Sequence, residues 1–216
     1  MLSRPALRRI LFAVGVAVAL AVCYFFLDRP LARAAERIPA GLNPFFHGLS
    51  AFAGLPVAFL AGAVMVVMFF IRAYGRDLPR RPMVPLIYLP AAALTASLSA
   101  ELVKIVLARY RPGLLIDAGL YGFAFWKAGY WFNSFPSGHA AVAFALAGAL
   151  ALAFPRWRGR AFALAGLVAA SRVVLNLHYL SDVIAGALLG LGWARLYRRL
   201  FARFSLPVNP KEAASD

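Results

Sequence analysis

Cysteine is almost missing: Cys23 stands alone in 216 residues, so one chain can build neither a disulfide framework nor a thiolate metal site. Acid is scarce too. The eight carboxylates, Asp28, Glu36, Asp77, Glu101, Asp117, Asp182, Glu212 and Asp216, are scattered, and no cluster of the kind a two-metal phosphatase needs can be read from them. Lysine is nearly as rare, with three among 23 basic residues. The net charge of +15 and pI near 11.2 therefore do not point to nucleic acid. Most arginines sit between apolar runs, where membrane topology accounts for them better. No internal repeat or low-complexity tract stands out.

What the chain has in excess is hydrocarbon: 63% of its residues are hydrophobic and its mean hydropathy is +0.76, whereas soluble domains run about 45–50% apolar. That composition belongs in a membrane. Apolar stretches at 10–27, 52–71, 83–103, 139–154, 161–177 and 183–200 each approach the ~20 residues a helix needs to cross a bilayer. The expected fold is therefore all-α, a polytopic six-transmembrane-helix bundle. It forms one domain over residues 1–204, with a polar, disordered tail over 205–216. Pro56, Pro85 and Pro90 should bend their helices or mark their ends. Between Asp28 and Ser50 the pattern turns polar, with Asn43-Pro44 as a turn signal, and an outer loop is expected there. His47 is assigned no role.

Arginine fixes the orientation. Arg4, Arg8 and Arg9 precede the first stretch, and Arg72, Arg76, Arg80 and Arg81 follow the second. Arg156, Arg158 and Arg160 follow the fourth, and Arg195, Arg198, Arg199 and Arg203 close the sixth. If every stretch crosses, all four clusters share a side, which the positive-inside rule makes cytoplasmic together with both termini. In a bacterium this is the inner membrane, with the opposite end of the bundle facing the periplasm. The first segment imitates a cleavable signal peptide, with Ala32-Arg33-Ala34 after it, but its apolar run exceeds the usual 7–15 residues.

Three fragments place phosphate-handling groups at that opposite end. Lys104 and Arg111 are seven residues apart, a spacing that returns two helical side chains to one face, and Pro112 should end the helix beside them. Snorkelling at an interface would explain these two cations taken alone. Pro136-Ser137-Gly138-His139 precedes an Ala-rich helix, so the amides of Ser137, Gly138 and His139 are expected as orphan donors that attract an anion. Ser137 either adds a hydroxyl or caps the helix. Arg172 closes the fifth stretch and can fork onto phosphoryl oxygens. His178 and Asp182 lie four apart, so the carboxylate would accept the Nδ1 proton and leave Nε2 free.

The pattern Lys104-x6-Arg111-Pro112, Pro136-Ser137-Gly138-His139 and Ser171-Arg172-x5-His178-x3-Asp182 resembles the type 2 phosphatidic acid phosphatase superfamily, whose bacterial members include lipid phosphate phosphatases. The resemblance implies that His178 attacks phosphorus, Asp182 orients it, and His139 protonates the departing oxygen and later activates water. Lys104, Arg111, Arg172, Ser137 and Gly138 would hold the phosphate, with no metal and no cofactor. Leu180 stands where the family often has proline. The implied partners are a lipid phosphate substrate and the bilayer, with neither nucleic acid nor an obligatory protein partner. Phosphatidate, phosphatidylglycerophosphate, undecaprenyl diphosphate and the lipid A phosphates all fit. The alternatives are a lipid phosphotransferase using the same intermediate and a non-catalytic protein that binds or translocates lipid phosphates. Residues 113–135 carry an aromatic loop that could gate lipid entry, though an interfacial aromatic belt explains it as well. Arg109 and Lys127 could touch a second phosphate but are assigned no role.

Overall fold

A computed structural model describes residues 3–51, 55–74, 80–204 and 208. Among these, every regular element is helical apart from one isolated antiparallel bridge between Arg109 and Phe123. Helix α1 (Arg4–Val22) runs through a π-helical turn, Cys23–Leu27, into α2 (Asp28–Glu36). There follow α3 (Asn43–Ala51), α4 (Leu55–Tyr74), α5 (Arg80–Leu107), α6 (Pro112–Ala118), α7 (Gly138–Ala153), α8 (Arg158–Val174) and α9 (Leu180–Arg203). The six apolar stretches fall on α1, α4, α5, α7, α8 and α9. Two described segments, Arg4–Glu36 and Val84–Leu107, are long and apolar enough to cross a membrane.

Small side chains explain how the bundle closes. Ala141, Ala145, Ala149 and Ala153 recur every fourth residue along α7 and are buried against Ala92, Ala96 and Ala100 of α5 and Ala194 of α9. With methyl groups at these positions, the backbones come close, which is how helices gain packing where no hydrophobic effect drives them together. Gly186 and Gly190 of α9 take this furthest. A Cβ on Gly186 would lie 2.3 Å from the Ser137 carbonyl oxygen, and one on Gly190 would lie 2.1 Å from that of Ala141. The Tyr88 hydroxyl donates to the Ala194 carbonyl at 2.8 Å, and the Trp193 indole donates to Ser99 Oγ at 3.0 Å, fixing α5 on α9. Outside the seam, Phe12, Phe25, Phe26, Phe59 and Leu102 are exposed, a surface suited to hydrocarbon rather than water.

Three expectations change. The loop expected from Asp28 to Ser50 is largely helical: α1 continues into α2, and Asn43-Pro44 opens α3 instead of marking a turn. Proline is tolerated in the first turn, where its missing N–H has no intrahelical partner anyway. The same reason places Pro56 at the start of α4, whereas α5 runs on through Pro85 and Pro90. Val208, within the segment expected to be disordered, is buried against the α5–α9 core. The remainder of 205–216 lies outside the described residues, as do 52–54 of the second stretch, Arg76 and Asp77.

Candidate active site

The three fragments meet at one end of the bundle, formed by the C-termini of α5 and α8 and the N-termini of α7 and α9. Lys104 sits in the last turn of α5 with its Nζ 2.6 Å from Glu101 Oε1. A Cβ on Gly138 would stand 3.4 Å from that Nζ, so glycine keeps open the space beside the cation.

Arg111 arrives by a different route from the one its spacing suggested. Helix α5 ends at Leu107, before Pro112, and Ala108 takes a left-handed backbone conformation (φ 44°) that turns the chain away. Arg111 is then extended (φ −74°, ψ 157°) as the residue before α6, a conformation that a following proline enforces. Its Nε donates to the Tyr130 carbonyl at 2.8 Å, its Nη1 to the Leu177 carbonyl at 3.3 Å, and the Tyr130 ring centroid lies 4.0 Å from its Cζ. The two cations share a pocket because the chain reverses, not because they share a helical face.

On α8, Arg172 is buried, and its carbonyl oxygen accepts from the amides of Leu177 (3.0 Å) and His178 (3.1 Å), which shapes the turn carrying His178. At α7, Ser137 caps the helix by accepting from the Ala140 amide at 3.4 Å, and its own N–H donates to the Asp182 carbonyl at 3.0 Å. Of the three amides expected to face an anion, the one on Ser137 is therefore engaged. Those of Gly138 and His139 remain as first-turn donors.

His178 is 3% exposed and His139 half-buried. The Nδ1 of His178 lies 2.7 Å from the Ser134 carbonyl oxygen and 3.8 Å from Asp182 Oδ2. A carbonyl can only accept, so the contact puts the proton on Nδ1 and leaves Nε2 with a free lone pair. The tautomer is the expected one, but Ser134 sets it rather than Asp182. Asp182 is instead a hub: it accepts from Ser134 Oγ (2.6 Å), from the Tyr179 amide (2.9 Å) and from Arg109 Nη1. Burial pushes the His178 imidazole down to about 4, with Arg111 and Arg172 acting the same way against Asp182. His139 lies within electrostatic reach of Arg172, His178, Lys104 and Arg111.

Sequence reasoning missed Glu101, Ser134 and Asp28, and it assigned Arg109 no role. Arg109 is fully buried and gives its terminal nitrogens to Asp28, Asp182 and Ser181, so it cannot meet a second phosphate. Nothing in the sequence marks Ser134, because its main contribution is a backbone oxygen. Lys127 lies over the Phe132 ring, 5.5 Å from the centroid. Among the described residues no trio of His, Cys, Asp or Glu is placed to hold a metal ion.

The arrangement can take an oxyanion among three cations, with one imidazole whose Nε2 keeps its lone pair and a second imidazole within electrostatic reach of all three cations. The model of the PAP2 superfamily matches residues 85–205. Curated relatives include a protein named lipid A 1-phosphatase from Rhizobium johnstonii, 39% identical over 119 residues (55% of this chain, 49% of that protein). Another of that name, from Rhizobium etli, is 38% identical over 120 residues (55% and 51%). The chain spans about half the length of these relatives. Among solved structures, Aquifex aeolicus LpxE matches with a TM-score of 0.60 and 22% identity over 81% of this chain and 96% of that one. A transmembrane PAP2-type phosphatidylglycerolphosphate phosphatase from Bacillus subtilis matches at 0.54 and 21%, over 88% and 96%.

Proposed function

Since this chain belongs to the PAP2 superfamily, we propose that it is an integral membrane phosphatase that removes phosphate from a lipid phosphate through a phosphohistidine on His178. The observation that carries the reading is the free Nε2 of His178, with its other nitrogen 2.7 Å from the Ser134 carbonyl, beside three buried cations. In the first step the Nε2 lone pair attacks phosphorus while the phosphorus–oxygen bond to the lipid breaks and His139 gives its proton to the departing oxygen. In the second, His139 takes a proton from water, hydroxide attacks phosphorus, and the His178 Nε2–P bond breaks to release inorganic phosphate. The bound phosphate's negative charge favours the protonated His139 needed at the outset.

Lys104, Arg111, Arg172 and the amides of Gly138 and His139 stabilise charge on the equatorial oxygens, which is the main demand of phosphoryl transfer. The imidazole becomes cationic when phosphorylated, and Asp182, 3.8 Å from Nδ1, then offsets that charge. Three fixed cations take the part that metal ions play elsewhere.

The six long helices are read as membrane crossings. The arginine-rich ends of α1, α4, α5, α7 and α9 lie in the cytoplasm and the catalytic end faces the periplasm. The substrate favoured is the 1-phosphate of lipid A, since relatives at 38–39% identity carry that activity in their names. Tails would stay in the bilayer while the phosphate enters the cationic pocket.

The test is phosphate release by purified protein from lipid A, phosphatidate, phosphatidylglycerophosphate and undecaprenyl diphosphate, with EDTA and with vanadate. Release that survives EDTA and is blocked by vanadate is expected, and His178→Ala should abolish the acid-labile phosphoenzyme. A phosphoenzyme that persists in that variant removes His178 as nucleophile. Label passing to a lipid acceptor instead of water makes the protein a phosphotransferase, and an absence of turnover leaves only binding.

A further inference from the structure

We propose that Asp28, the first residue of α2 and outside the segment matched by the family model, is a positioning residue that acts on His178 through Arg109 and Asp182; this rests on the phosphatase reading above. A carboxylate at the end of an apolar span is expected to reach for water or headgroups. Asp28 is instead completely buried.

The π-helical turn brings this about. The Asp28 amide donates to the Cys23 carbonyl, five residues back, so the turn holds one residue more than an α-helix allows and rotates everything after it by about 100°. Phe25 and Phe26 stay on the outer surface while Asp28, Ala32 and Ala35 turn inward. Such turns are frequent at functional sites, and this one delivers a carboxylate to the back of the catalytic pocket.

What Asp28 finds there is a set of donors: the Ser181 amide at 3.0 Å, Ser181 Oγ at 2.5 Å and Arg109 Nη2 at 2.8 Å. Arg109 passes the connection on, with Nη1 bonded to Ser181 Oγ and to Asp182. The rings of Tyr24, Tyr121, Phe123 and Tyr179 enclose it, with centroids 4.4 to 5.4 Å from its Cζ. Asp182 in turn receives Ser134 Oγ, and the carbonyl of that same serine holds the His178 ring. A continuous, dry chain of contacts thus runs from the start of α2 to His178.

Charge gives the chain its purpose. Asp28, Arg109 and Asp182 carry one net negative charge, while Asp182 with Arg109 alone would carry none. His178 gains positive charge as its Nε2 attacks phosphorus, so the surplus carboxylate stabilises the transition state more than the ground state. In a dry site that term is weakly screened. Lys104 bonds to Glu101, and Arg111 to the carbonyls of Tyr130 and Leu177, all outside this chain of contacts, so substrate binding should be largely indifferent to Asp28.

The experiment uses the full chain in detergent micelles with lipid A as probe, comparing wild type, Asp28→Asn and Asp28→Glu, with kcat expressed per folded molecule. Asp28→Asn is expected to lower kcat by about tenfold or more while KM stays within about twofold, and Asp28→Glu to recover most of the loss. A wild-type kcat in Asp28→Asn overturns the proposal. So does a joint loss in kcat and KM that Asp28→Glu fails to repair, since that is the mark of a purely structural acid. If Asp28→Asn does not accumulate folded, Ser181→Ala decides: it removes a hydroxyl shared by Asp28 and Arg109 and should show the same split at smaller size, and an unchanged kcat overturns the proposal. Wild-type protein that releases no phosphate from lipid A or any other lipid phosphate would sink the phosphatase reading instead.

Discussion

At the scale of single residues, burial and neighbouring cations decide what the two imidazoles do. The His178 side chain is pushed down to about 4 by burial, with Arg111 and Arg172 adding to it, whereas an ordinary histidine titrates near 6.5. In the proposed mechanism attack on phosphorus requires the neutral ring, so the acid limb of kcat/KM is expected near pH 4 rather than pH 6.5. A limb following an unperturbed histidine would contradict the burial of this ring. Stability follows the same sign. Between pH 6.5 and about 4 the unfolded chain takes up a proton at residue 178 that the folded chain refuses, so stability rises with pH across that window and is lost as the pH is lowered through it. Thermal midpoints measured through the window check it. Lys104 supplies a second case. Its Nζ is held 2.6 Å from Glu101 Oε1, yet the Glu101 side chain is 51% exposed, so an incoming phosphate must compete with a solvent-screened ion pair. Exposed pairs are worth roughly 0.2–1 kcal/mol. Glu101→Gln is therefore expected to lower KM by up to about fivefold, and an increase in KM would show that Glu101 serves the substrate instead.

At the scale of elements, the seam between α7 and α9 holds the site together. Ser137 and His139 start α7, Asp182 lies in the first turn of α9, and the Ser137 amide binds the Asp182 carbonyl directly. Gly186 and Gly190 permit that approach, so Gly190→Leu must force the two backbones apart. Overpacking costs about 1–3 kcal/mol even in forgiving cores, and here the obstacle is backbone rather than a movable side chain. The expected result is a lowered thermal midpoint together with loss of turnover; Gly192→Leu, where a Cβ meets nothing within 4 Å, should change little. The helical elements and the meeting of the three fragments at one end were legible because apolar length and charged helix ends are both written in the primary structure. The reversal after Leu107 was not, because a left-handed alanine at 108 has no compositional signal. Nor was the inward turn of Asp28, since a π-helical turn depends on packing between remote segments. The role expected of Asp182 toward Nδ1 fell to Ser134 for a similar reason: a backbone carbonyl has no residue type by which to be recognised.

At the scale of the whole molecule, charge and architecture point the same way. The clustered cations and histidines stand at the C-terminal end of α5, and α2, which continues α1 through the π-helical turn, reaches them through Asp28, so the Arg4, Arg8 and Arg9 end of α1 lies away from them. Arg156, Arg158 and Arg160 likewise lie beyond the far end of α7, and Arg195, Arg198, Arg199 and Arg203 fall in the last turns of α9. One end of the bundle thus carries arginine-rich termini and the other carries Lys104, Arg111, Arg172 and an aromatic loop in which Trp126 is 73% exposed. Orientation in the membrane follows from this asymmetry if the positive-inside rule holds. Cys23 is the one cysteine of the chain and is buried, so replacing it by alanine leaves a clean background for labelling. Trp126→Cys is expected to react with a membrane-impermeant maleimide in cells whose inner membrane is intact and accessible from the periplasm. Arg156→Cys should react only after that membrane is opened. The reverse pattern would put the catalytic pocket in the cytoplasm, where it would meet newly made lipid on the inner leaflet rather than lipid already carried across. The chemistry at His178 would stand, but the substrate would have to be sought on the other side.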